Sequence, residues 1–83
     1  MRIEVTDEDI VKGERCSPDL CPVALATSRA LGKFVSIPSG HSAWIEKRLV
    51  KLPVEVHEFV RKFDAGRVPV KAFSFDLDLE SEA

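Results

Sequence analysis

Cysteine and histidine are scarce in this sequence, with two of each in 83 residues. A structural zinc site needs four ligands of such kinds, and nothing in the spacing of Cys16, Cys21, His41 and His57 brings them together. No nucleophile stands beside a base in a recognisable signature, and no glycine-rich phosphate loop is present. These gaps argue against an enzyme and against a bound metal or cofactor. No run approaches the roughly 18 consecutive apolar residues of a membrane helix. The start, Met1-Arg2-Ile3-Glu4-Val5, reads as a strand and not as the apolar core of a signal peptide. A cytoplasmic protein without membrane contact is therefore expected. A basic excess is missing too, the formal net charge being −2, which speaks against nucleic acid as a general partner. Low-complexity runs and internal repeats are also lacking. The chain reads as one domain spanning residues 1–83, with a frayed tail over 80–83.

What is present is clearest between Pro53 and Leu79. Val56, Phe59, Val60 and Phe63 recur at i, i+3, i+4 and i+7, an apolar stripe on a helix that begins at Pro53 and stops at Asp64-Ala65-Gly66. Phe73, Phe75, Leu77 and Leu79 then alternate with Ser74, Asp76, Asp78 and Glu80, the period-2 pattern of a strand with one buried face. A striped helix laid on such a strand is the seed of a two-layer core.

Upstream, Arg2 to Thr6 predicts a first strand with Ile3 and Val5 inward. Thr6 suits an N-cap, and Asp7, Glu8 and Asp9 suit the first turn of a short helix that runs to Lys12 and stops at Gly13. Pro22 to Leu31 predicts a second helix, ended by Gly32, with Arg29 and Lys33 complementing its dipole. Phe34 to Ile37, Ser42 to Glu46 and Leu49 to Leu52 read as strands of a meander turned at Pro38-Ser39-Gly40 and Glu46-Lys47-Arg48. The fold class is α+β: a small, mostly antiparallel sheet of four to five strands with two main helices on one face, in the order β-α-α-β-β-(β)-α-β. The last strand is expected to be the longest and central, with the first beside it.

Each candidate site has a structural alternative. Cys21 lies at a helix N-terminus, which stabilises a thiolate, but it lacks a base; reduced thiols, at least one buried, are the favoured reading. Asp76 and Asp78 are explained by a solvated strand face, and Asp7 and Asp9 by the helix dipole. Ser36 to Ser42, followed by Trp44, Lys47 and Arg48, places hydroxyls, His41 and cations on one hairpin, where a phosphate or nucleotide could be held with Trp44 stacked on a base. A hairpin turn has the same composition for purely structural reasons. Trp44 itself points outward if Ala43 and Ile45 face the core, and an exposed Trp beside cations is a typical interface anchor; it is buried if the strand's other face is the covered one. The acidic residues concentrate at the two ends of the chain and the basic ones between Arg29 and Lys51, which gives one acidic and one basic edge if the end strands pair.

Asp9-Ile10 with Gly13, Cys21-Pro22-Val23-Ala24-Leu25-Ala26 with Arg29, Leu52-Pro53, Phe59-Val60 through Phe63-Asp64-Ala65-Gly66, and Phe73-Ser74-Phe75 together resemble a group of small proteins recurring in phage and prophage genomes of actinobacteria. These motifs are mainly helix starts, helix stops and core positions, so no functional residue carries over. The resemblance implies a phage accessory protein acting in the host cytoplasm. The expected function is non-enzymatic: binding or inhibition of a host protein through Trp44, Lys47, Arg48 and His41. The alternative is a small-ligand binder using the 36–48 hairpin, with Ser39 and Arg29. A thiol-dependent enzyme is the remaining and least supported reading. An edge strand and an exposed Trp also suit a homodimer.

Overall fold

The computed structural model describes residues 1–66 and 69–80. Most of the expected frayed tail lies outside the described residues. Three helices and five strands follow in the order β1 (Arg2–Val5), α1 (Asp7–Lys12), α2 (Pro22–Leu31), β2 (Val35–Ser36), β3 (Ser42–Ile45), β4 (Arg48–Lys51), α3 (Val54–Ala65) and β5 (Phe73–Asp76). The strands form two antiparallel sheets and not one: β1 pairs with β5, and β2-β3-β4 form a meander. Alternation shows which face of a strand is buried but not which strand lies beside it, and so the single sheet was the wrong grouping.

The first and last strands do pair, with Ile3 opposite Phe75 and Val5 opposite Phe73. The last strand is neither the longest nor central. Its ladder spans four residues because β1 offers only four to pair with. One further step joins the Leu77 amide to the Met1 carbonyl at 2.7 Å, and beyond it Leu79 enters a turn. Both sheets share one core. Ile3, Val5 and Phe75 come from the end strands and Leu77 from just beyond β5, Val35, Ala43, Ile45 and Val50 from the meander, and Val56, Phe59 and Val60 from the α3 stripe. Full burial of each such large side chain contributes about 1.5–3 kcal/mol. The small residues Ala24 and Ala26 of α2 let that helix pack close to β1.

Helix α1 is held by a capping box. The Thr6 hydroxyl accepts from the Asp9 amide, while the Asp9 carboxylate accepts from the Thr6 amide at 2.9 Å. Gly13 ends the helix, but not through a left-handed residue, since its φ is −68°. A Cβ at Gly13 would lie 2.6 Å from the Pro22 ring. Glycine is required there by the close approach of α2, and not by the turn.

Candidate interaction surface

Strand β3 lies in the middle of the meander, and its alternation decides what the two faces present. Ala43 and Ile45 go into the core, so Trp44 goes out, between Ser36 on β2 and Leu49 on β4. Trp44 is 44% exposed and Phe34, sent outward by the same alternation that buries Val35, is 63% exposed. Phe34, Trp44 and Leu49 thus form an apolar diagonal on the outer face, bordered by Ser36, Ser42 and Lys51. Lys33, Lys51 and, at the β3–β4 turn, Lys47 stand around this face against one carboxylate, Glu46, in a chain whose net charge is −2. Lys33 approaches Glu46 only at 4.0 Å, with both side chains more than half exposed. An open pair of this kind leaves the rim basic.

The other residues singled out in the sequence do not gather on this face. Lys47 is at the tip of the β3–β4 turn, whose first residue, Glu46, has a φ of +58°. Arg48 stands across from Ile45, in the register phase of the opposite face. Ser39 and His41 lie at the other end of β3 in the β2–β3 turn, folded against α3. The His41 and His57 rings stack there with centroids 3.6 Å apart, and His57 Nδ1 is 2.8 Å from the Ser39 carbonyl oxygen. Gly40, with a φ of +83°, brings the turn so close to α3 that a Cβ would lie 2.8 Å from the His57 Cα. A ligand gripped at once by Ser39, His41, Lys47 and Arg48 would have to reach along the whole of β3, roughly 13 Å.

Arg29 belongs to a third place, a cleft of about 740 Å³ between β1, α1 and α2. Its guanidinium meets the Asp9 carboxylate at 2.6 and 2.9 Å and donates to the Glu4 carbonyl at 3.2 Å. Asp9 is buried, which by itself would raise its pKa; the hydrogen bonds from Arg29 and from the Thr6 amide and hydroxyl outweigh this and hold it below the usual carboxylate range. The same hydrogen bond to Asp9 holds Arg29 more firmly charged. Neighbouring cleft cations are paired as well, Lys12 with Glu8 and Arg2 with Asp76.

The two thiols are free, Cys16 exposed and Cys21 buried. Cys21 caps α2, its Sγ accepting from the Ala24 amide at 3.4 Å. Burial pushes its thiol up despite those amides, so the helix N-terminus does not yield a ready thiolate. Among the described residues no three metal-ligating side chains come together, and no helix is long and apolar enough to cross a membrane.

Two residues matter more than the sequence reading allowed. Asp9 is the N3 residue of a Thr-x-x-Asp box, a legible signal whose tertiary partner, twenty residues on, was not. His57 lies beside the α3 stripe, and only the folded chain sets it against His41. No family model, no curated protein and no solved structure matches this chain.

Proposed function

We propose that this is a non-enzymatic binding protein that engages another protein through the outer face of the β2-β3-β4 sheet. The observation behind this reading is the open position of Trp44, flanked by Phe34 and Leu49 on a sheet whose opposite face sends Val35, Ala43, Ile45 and Val50 into the core. Aromatic anchors at the centre of a patch supply most of the binding energy of typical interfaces. The basic rim suits a partner with a flat apolar centre bordered by carboxylates, and rim charges of this kind govern association rate and salt dependence. The resemblance to phage proteins makes a host factor the partner to look for. A small-ligand site in the hairpin draws less support, because Ser39 and His41 are engaged with α3 and stand at the far end of β3 from Lys47.

The test is quantitative affinity purification from the producing host with the native chain and with Trp44→Ser. Truncation of a central anchor is expected to weaken capture of a specific protein about thirtyfold or more, with circular dichroism unchanged. The paired charge reversals Lys47→Glu and Lys51→Glu should slow association and flatten its salt dependence. Equal capture by Trp44→Ser would refute this surface.

A further inference from the structure

We infer that the free edge of β4 receives an added strand from the protein partner, an extended segment with carboxylates at alternate positions; this rests on the reading of the meander as the contact surface. The hydrogen-bond phase of the sheet fixes which backbone groups face that edge. The Leu52 amide donates to the His41 carbonyl at 2.8 Å, and the Glu46 amide to the Phe34 carbonyl at 3.3 Å. In an antiparallel ladder, successive residues turn their amide and carbonyl alternately to one side and the other. Counted in twos from Leu52, Val50 and Arg48 face β3, and Leu49 and Lys51 face away from it. Among the described residues no hydrogen bond takes up the outward amides and carbonyls of Leu49 and Lys51. The other edge of the meander is closed, since the Ile37 amide just beyond β2 donates to the Pro18 carbonyl at 2.7 Å.

Leu49 and Lys51 are also the β4 residues on the outer face, opposite Trp44 and Ser42. A strand hydrogen-bonded to them continues the Ser36–Trp44–Leu49 row with one side chain and the Ser42–Lys51 row with another two positions away. Beside the half-buried Leu49 an apolar residue fits, and beside the exposed Lys51 a carboxylate. From Lys47 to Lys51 the edge carries three cations, Lys47, Arg48 and Lys51, and no carboxylate. Lysine on an edge strand guards against pairing with a like strand, and β4 of a second copy would bring like charges together. An acidic strand meets the opposite condition. Its main-chain hydrogen bonds supply affinity, and the two side-chain rows supply selectivity.

Hydrogen exchange read by NMR on the full chain tests the edge with a short blocked peptide that alternates threonine with glutamate and valine. In the free chain the Leu49 and Lys51 amides should exchange much faster than those of Val50 and Leu52. With the peptide at about 1 mM they should become protected, and the same peptide with lysine for glutamate should leave them unchanged. Lys51→Ala should weaken peptide binding about threefold, as loss of an exposed charge pair does. Lys51→Pro, which also deletes the outward amide, should weaken it about tenfold further; proline is admitted at an edge position of this kind. Should Lys51→Pro lose its fold by circular dichroism, the protection of the two amides decides. Protection of Leu49 and Lys51 already present in the free chain would overturn the proposal, and its loss on dilution would mark a second copy as the cover. No response to the acidic peptide, or equal binding by folded Lys51→Ala and Lys51→Pro, would overturn it as well. The edge and the face fail separately. A host protein captured weakly by Trp44→Ser but fully by Lys51→Pro overturns the edge alone, whereas full capture by both overturns the face too.

Discussion

The two sheets treat their outward residues in opposite ways. Around β1, α1 and α2 the outward groups are mainly charged, the exposed Val11 of α1 apart, and several are satisfied within the molecule: Asp9 by Arg29 and Thr6, Lys12 by Glu8, Arg2 by Asp76. On the meander the outward groups include Phe34 and Trp44, which stay exposed beside Ser36, Ser42, Leu49 and Lys51. Polar groups closed on themselves hold a fold together, whereas exposed aromatic surface gains free energy when something covers it. On the function proposed above, the α1/α2 end of the molecule is architecture and the meander end is contact.

The sharpest break in that comparison should come from Asp9→Ala. It removes half of the capping box and leaves the Arg29 guanidinium without its carboxylate. A loss of about 2–3 kcal/mol is expected in urea unfolding, the sum of a cap and a charge-assisted hydrogen bond. The same group sets a pH dependence. Because the folded Asp9 titrates below the usual range, its contribution is complete above the ordinary aspartate value and is lost as pH falls through the lower folded value. Asp9→Asn should flatten the acid limb of the stability–pH curve.

Next is Gly40→Ala, at about 2 kcal/mol. The positive φ and the approach of the His57 backbone both oppose a Cβ. This change should detach the β2–β3 turn from α3, read as faster hydrogen exchange of the Leu52 amide that donates to the His41 carbonyl, while the Leu77 amide that donates to the Met1 carbonyl keeps its protection. If it destabilised both sheets equally, the two regions would not be separable.

Trp44→Ser sharpens the comparison from the other side, as a large effect on binding with a small one on folding. Its stability change should stay at about 1 kcal/mol, the worth of cross-strand packing by a half-covered aromatic. A loss as large as that of Asp9→Ala would place Trp44 in the core economy of the fold. The smallest effect is chemical. Iodoacetamide at neutral pH should label Cys16 and spare Cys21, giving one adduct per native chain and two after unfolding. Labelling of both thiols in the native chain would contradict the buried cap.

Local signals account for what the sequence made legible. Thr6, Gly32 and Pro22 mark helix ends because capping depends on a few adjacent residues. The α3 stripe and the inward faces of β1 and β3 follow from periodicity alone, and that is why the outward direction of Trp44 could be stated as one of two alternatives. Grouping was not legible. The separation of β1–β5 from the meander, the Asp9–Arg29 pair and the His41–His57 stack all join residues far apart in the chain, and no local rule fixes them. Among the candidate site residues the consequence is plain: Trp44 stands on an open face, Arg29 is engaged in a structural pair, and Ser39 and His41 form part of the turn's attachment to α3.

The most direct test of the division is acrylamide quenching of intrinsic fluorescence. The chain has one tryptophan and no tyrosine, so the signal reports Trp44 alone. The free protein should be quenched to an intermediate extent, as suits a residue 44% exposed, at any dilution, and a bound partner should shield it further. A Trp44 that is already shielded in the free chain would contradict the open face. If that shielding vanished on dilution, a second copy of this chain would be its cover.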